Sequence, residues 1–139
     1  MSTRTGACLC GAVTYSISAD PAAVRICWCK SCQKISANGT VNVLVQSDTL
    51  QYSGELAEFV STADSGNQVT RKFCPKCGVQ LFSNSSGRPQ FTVVRAGTLA
   101  DPSSVRPTMN IWAASAPAWA CLDPALDVAQ TQPGPPPQK

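Results

Sequence analysis

The chain contains no histidine. That absence removes Ser-His-Asp and Cys-His catalysis and every mixed Cys/His zinc site, since each needs an imidazole as base or ligand. No apolar run approaches the roughly 20 residues needed to cross a bilayer, and the start, MSTRTGAC, lacks the apolar stretch of a signal peptide. A cytoplasmic protein without membrane partners is expected. Helical periodicity is missing as well: no long segment repeats its apolar residues every 3.6 positions. Asp101 and Glu55 could serve as general acids or bases, but no close carboxylate pair supports that chemistry.

What is abundant is cysteine, eight in 139 residues. In a chain without an export signal, thiols read more readily as metal ligands or redox groups than as a disulfide framework. Their spacing agrees. Cys8 and Cys10 are two apart, Cys27, Cys29 and Cys32 form C-x-C-x-x-C, Cys74 and Cys77 form C-x-x-C, and Cys121 stands alone. A disulfide inside the Cys8–Cys10 pair would be strained, because extended backbone does not supply the required dihedral.

A structural zinc takes four ligands in a tetrahedron, and two short-spaced pairs supply them with one loop closure. "CLCG" at 8–11 and "CPKCG" at 74–78 each end in glycine, and Pro75 presets the second turn. They are natural partners in a site with four thiolates. Cys27, Cys29 and Cys32 are then left with three ligands, the pattern of a zinc whose fourth corner takes water or substrate. Other divisions stay open at this level. Cys121 could close the triplet, or Cys29 and Cys32 could join Cys74 and Cys77, although 41 residues separate those pairs where ribbons have about 15–20. An iron–sulfur cluster is a further use of the thiols.

The length fits one domain with its own core. Runs at 12–18, 40–46, 57–62, 68–73 and 90–97 are rich in Val, Ile, Thr, Tyr and Phe, and turn signals lie at 53–55, 64–67 and 84–89. The fold class expected is therefore mainly β, with a short helical turn after Cys29. From Pro102 prolines interrupt the chain, and Trp112 and Trp119 are expected to tuck inward; Trp28 is expected to pack. One domain over 1–125 and a disordered proline-rich tail over 126–139 follow from composition.

"GACLCGAVTYSI", "ICWCKSCQKISA", "RKFCPKCGVQLF" and "VRAGTLADPSSVRPTMNIWAASAPAW", in this order, resemble the glutathione-dependent formaldehyde-activating enzyme family, which also includes centromere protein V. The resemblance spans about residues 5 to 122. It implies a β-tent of packed antiparallel sheets with zinc knuckles. It places a structural zinc on Cys8, Cys10, Cys74 and Cys77 and a second on Cys27, Cys29 and Cys32. It also implies a carbon–sulfur lyase acting on S-(hydroxymethyl)glutathione, the adduct of glutathione and formaldehyde. Two positions depart from the family pattern: Trp28 stands where C-H-C-x-x-C has histidine, and Asn110 where histidine precedes Ile-Trp.

The chemistry to expect at an open three-thiolate zinc is capture of a thiol as thiolate, since a zinc-bound thiol is deprotonated. Three anionic ligands acidify bound water less than imidazoles would, so hydroxide attack is disfavoured. Glutathione carries carboxylates, and the cations nearest by sequence or strand placement are Lys30, Lys34, Arg71, Lys72, Lys76 and Arg95. The alternative function is a non-catalytic, zinc-stabilised protein-binding module. A nucleic-acid role is disfavoured, because two Zn²⁺ held by seven thiolates bring the formal charge of +3 to zero. Pairing with a second copy is left open.

Overall fold

The β-branched run Thr40–Gln46 and the run Phe91–Arg95 are the middle of the molecule, and the rest of the larger sheet is laid out from them. The computed structural model describes residues 3–134. A three-stranded antiparallel sheet comprises β1 (Arg4–Ala7), β2 (Thr14–Ile17) and β5 (Leu50–Ser53), in the order β1-β2-β5. The larger sheet contains β3 (Ala23–Cys27), β4 (Thr40–Gln46), β6 (Ala57–Thr62), β7 (Gln68–Phe73), β8 (Gln80–Ser85), β9 (Phe91–Arg95), β10 (Met109–Ile111) and β11 (Asp127–Val128). Its order is β11-β10-β3-β4-β9-β8-β7-β6. One helix, α1 (Lys30–Ser36), follows the second cysteine of the central motif. The fold is mainly β, as composition predicts. No helix among the described residues is long and apolar enough to cross a membrane.

Alternation along each strand gives the large sheet two different faces. Val24, Val43, Val45, Phe82 and Val94 point to one of them and are buried with Tyr15 and Ile17 of the small sheet and with Val13, which precedes β2. The opposite face carries Arg25, Cys27, Asn42, Arg71 and Arg95, because Arg25 pairs with Asn42, Asn42 with Arg95, and Cys27 with Thr40. One face therefore holds the core and the other the chemistry. At the join of the two sheets Gly6 lies against Tyr15, whose hydroxyl is 2.7 Å from the Thr98 Oγ1. A Cβ at Gly6 would overlap the Tyr15 ring. Gly6→Ala is expected to cost about 2–3 kcal/mol in chemical denaturation through this overpacking.

Three findings differ from expectation. β10 pairs parallel with β3 and with β11, so the large sheet is not wholly antiparallel. The tail expected from residue 126 instead runs along β10: the Ala129 N–H donates to the Asn110 carbonyl (2.8 Å), and the Trp112 indole N–H donates to Gln132 Oε1 (2.9 Å). The outer edge of β10 needs backbone partners, and this segment supplies them. Residues 135–139 of the expected tail lie outside the described residues. Trp119 is 67% exposed rather than tucked inward, because it sits in a turn closed by the Ala120 N–H to the Pro117 carbonyl (2.9 Å).

Candidate metal centres

The sulfurs of Cys8, Cys10, Cys74 and Cys77 all lie within 4.8 Å of one another. Cys10 Sγ is 3.7 Å from both Cys8 Sγ and Cys74 Sγ. Four sulfurs at about 2.3 Å from a tetrahedral centre would be about 3.8 Å apart, so the set matches the edge of a metal–thiolate tetrahedron. Two similar loops build it. The Cys8 N–H bonds to the Val13 carbonyl and the Cys74 N–H to the Val79 carbonyl, each at 3.0 Å, while Gly11 and Gly78 turn back with φ of 80° and 76°. The left-handed backbone at these glycines lets N–H groups turn toward sulfur, with Val13 N–H at 3.3 Å from Cys8 Sγ and Lys76 N–H at 3.4 Å from Cys74 Sγ. Backbone N–H donors, first at Val79 and then at Cys10, hold the Cys77 thiol down to about 6. It is thus largely thiolate at neutral pH, the form a metal takes.

The second cluster holds Cys27, Cys29 and Cys32, again with sulfurs within 4.8 Å of one another. Cys27 ends β3. Cys29 is the N-cap of α1, its sulfur accepting from the Cys32 N–H at 3.3 Å, and Cys32 lies buried in the first turn. Strand end and helix start thus bring three sulfurs together with no long loop between them. Among the described residues, no fourth cysteine and no carboxylate joins this group. Cys121 is exposed and belongs to neither cluster, which removes the closed alternative with Cys121 as a fourth ligand. The division into four and three is the geometry of the folded chain.

Trp28 fixes the loop between the first two sulfurs. It is 3% exposed, its N–H donates to the Ile111 carbonyl (3.0 Å), its carbonyl accepts from Gln33 Nε2 (2.7 Å), and its indole N–H donates to Asn110 Oδ1 (3.0 Å). Gly39 lies against the ring, where a Cβ would come within 2.8 Å of Trp28 Cε2. The two positions that depart from the family pattern are therefore bonded to each other. Trp112, half-buried, packs against the same cluster with φ of 56°, a conformation unusual for a bulky residue and held by its N–H to Thr131 and its indole to Gln132.

Arg95 is the cation facing the three sulfurs. It is 7% exposed, it hydrogen-bonds Asn42, its Nε has no partner, and its charge interacts with those of Cys32, Cys27 and Cys29. The Cys32 thiol is pushed well down, first by the Cys27 and Cys29 thiols and then, against burial, by Arg95, while the Cys29 and Cys32 thiols and burial push Cys27 up. The three thiols are coupled, so their protons belong to the trio rather than to any one sulfur. Of the other predicted cations, Arg71 shares the face and is felt by Arg95. Lys72 points to the core side and pairs with Glu58 at 3.9 Å, and Lys30, Lys34 and Lys76 are exposed. Sequence reasoning missed Arg25. Arg25 lies two positions before Cys27 on the same strand, a signal that strand assignment of 23–27 would have exposed.

Two cavities, of about 740 and 550 Å³, lie around Tyr15–Thr98 and between Tyr52 and Asn84, and no cysteine lines either. The two cysteine clusters therefore lie apart from both cavities.

The family model described as glutathione-dependent formaldehyde-activating enzyme matches residues 3–115. A crystal structure of a Rhodobacter sphaeroides protein is similar, with a TM-score of 0.56 and 21% identity, covering 74% of this chain and 91% of that one. At that identity the likeness speaks to the fold. No curated protein sequence matches the chain.

Proposed function

The chain belongs to the glutathione-dependent formaldehyde-activating enzyme family, and from that premise we propose that it is a zinc-dependent carbon–sulfur lyase acting on a glutathione–aldehyde adduct such as S-(hydroxymethyl)glutathione. The observation that carries this reading is the cluster of Cys27, Cys29 and Cys32, three sulfurs with no fourth protein ligand among the described residues. Cys8, Cys10, Cys74 and Cys77 would hold a structural zinc, and Cys27, Cys29 and Cys32 a second. When bound there, the metal supplies Lewis acidity and one open position for a sulfur or oxygen ligand.

The residues of the chain do the rest. In the lyase direction the carbon–sulfur bond breaks, its electron pair goes to sulfur, the hydroxyl proton goes to solvent, and aldehyde and thiolate are released. Three thiolates around a divalent cation leave one excess negative charge, which would repel an incoming thiolate. Arg95, nearly buried beside the cluster, offsets that charge. Half-buried Cys29 marks the side from which solvent and substrate approach.

The alternative, a non-catalytic protein-binding module, draws on the Trp28–Asn110 hydrogen bond, which ties up both positions where the family pattern has histidine. Glutathione titrated into cobalt-substituted protein separates the two. A change in thiolate-to-metal absorption that is lost in Cys32→Ser and kept in Lys30→Ala is the expected result. Absence of any change in the wild-type protein would favour the module.

A further inference from the structure

Strand β6 ends the larger sheet, and its outer edge is bare. No strand follows it in the order of the sheet, and among the described residues no backbone group outside the β6–β7 ladder bonds to Ala57–Thr62. A free edge is a template for a further strand, and folded proteins blunt it with lysine, proline, a bulge or brevity. The other edges of this molecule are short or occupied. β11, at the far end of the same sheet, has two residues, and β5 has four. The outer edge of β1 is taken by the Ala100 N–H on the Thr5 carbonyl (2.8 Å) and by the Gly6–Leu99 bridge. β6 has six residues, AEFVST, without lysine or proline, its register against β7 runs without a bulge, and Phe59 and Val60 are exposed along it.

The register tells which backbone groups face outward. The Ala63 N–H donates to the Asn67 carbonyl (2.8 Å), so the odd-numbered residues of β6 turn their N–H and C=O groups toward β7. On the other side of β7 the Gln68 carbonyl accepts from the Ser86 N–H (2.9 Å), which agrees, because Gln68 stands opposite Thr62 and bonds away from β6. Glu58, Val60 and Thr62 therefore present their backbone groups to solvent. These three are self-complementary. A second copy turned about a two-fold axis through Val60 sets Val60 against Val60 and each Glu58 against a Thr62, and every one of these pairs exchanges two backbone hydrogen bonds. A shift of one residue would set outward groups against inward ones, and a shift of two gives up one of the pairs. Charge selects the same register. Glu58, the one charged residue of the strand, then lies four residues, about 14 Å, from Glu58 of the other copy. Phe59 comes diagonal to Phe59 of the other copy, about 7–8 Å away and within reach of an aromatic pair.

We infer that β6 is a pairing edge for a second copy of this chain, joined antiparallel about Val60 into one continuous sheet. Opposed residues share a face, so the Arg71 face of both copies, which also carries Cys27, lies on one side of that sheet. The contact is one strand edge with two exposed apolar side chains from each copy, less than the roughly 1,200 Å² of a lasting dimer, so the association is weak and reversible. The inference stands apart from the lyase reading.

Sedimentation velocity of the full-length zinc-loaded chain, from about 1 µM to about 1 mM, is expected to show monomer passing to dimer over the range proper to so small a contact. Val60→Lys and Val60→Glu each set like charges face to face on the axis and are expected to weaken association more than about tenfold. An equimolar mixture of the two is expected to dimerise again, because the opposed charges are then unlike. Thr62→Lys, which sets an ammonium opposite Glu58, is expected to tighten pairing a few-fold. Two metal ions per chain show that a variant has folded. Hydrogen exchange needs no variant: the amides of Glu58, Val60 and Thr62 are expected to slow as concentration rises, and those of Phe59 and Ser61, already bonded to β7, to change less. A wild-type chain that stays monomeric throughout overturns the inference, as it would if the edge served an extended segment of another protein. A dimer that Val60→Lys leaves intact overturns it too, and so does a mixture that fails to restore pairing.

Discussion

Cys74→Ser is expected to lower stability by about 4 kcal/mol, on the order of 15 °C in thermal midpoint, and to leave one metal ion per chain instead of two. The size of the effect follows from where the sulfur lies. Cys74 is fully buried and belongs to the same apolar cluster as Cys8, Val13, Phe82 and Val94. Its loop and the Cys8 loop are far apart in sequence, with 64 positions between Cys10 and Cys74, and the four-sulfur cluster is where the β1–β2 connection meets the β7–β8 connection. Loss of one ligand removes the cross-link, frees both loops and leaves the buried Cys8 thiol without its metal. The core of Val, Ile and Phe side chains remains, so the variant should still fold, which distinguishes this domain from peptides that need metal to fold at all. Calorimetry with metal analysis checks the expectation. Cys121→Ser, at an exposed position outside both clusters, is the control and should stay within about 0.5 kcal/mol. Chelator should bring the wild-type protein and Cys74→Ser to about the same midpoint, the wild type falling further because it loses two ions and the variant one. An unchanged midpoint in Cys74→Ser would mean that the four sulfurs hold nothing of consequence.

The parts of this architecture that could be read from sequence are those whose physics is local. Two short cysteine pairs ending in Gly11 and Gly78 announce a pair of metal-binding turns, since the glycines are needed for the left-handed backbone seen there. The runs at 40–46, 57–62 and 68–73 carry enough β-branched and aromatic residues to be legible as strands, and all three form them. β8 reads poorly because "QLFSNS" ends in polar residues, one of which, Asn84, is used to bond Thr92 on β9 at 2.8 Å. β10 is three residues long and gains its partners from β3 and β11, both distant in sequence, so nothing in "MNI" marks it. The same non-locality hid the partner of the C-terminal segment, whose Ala129 N–H meets the Asn110 carbonyl only after the chain has folded back along β10. It also hid the link between Trp28 and Asn110: two departures from the family pattern, 82 residues apart, are one hydrogen bond in three dimensions.

Asn110→Ala therefore tests how far the ligand loop depends on that bond. Asn110 is wholly buried, its Oδ1 accepts the Trp28 indole N–H, and its Nδ2 has no partner. Truncation leaves the indole N–H unsatisfied in a site closed to water, at a cost of about 2–3 kcal/mol together with the small cavity. The consequence for function is more selective. Trp28 lies between Cys27 and Cys29, and a loop that no longer has its indole fixed presents the two sulfurs less firmly. Metal affinity at the three-cysteine cluster should drop about 10- to 100-fold, as it does when groups that orient ligands are lost, while the four-cysteine site keeps its metal. Competition with a chromophoric chelator, which resolves a weak and a tight ion, reads the two sites separately in one sample. In a cycle with Trp28→Phe, which removes the donor and keeps a ring, the double variant should be less destabilised than the sum of the singles by about 1–2 kcal/mol, since neither orphan then remains. Strict additivity, or equal loss of metal from both clusters, would show that Trp28 and Asn110 merely fill space. With coupling and selective loss, the pair is the support on which Cys27 and Cys29 are aimed.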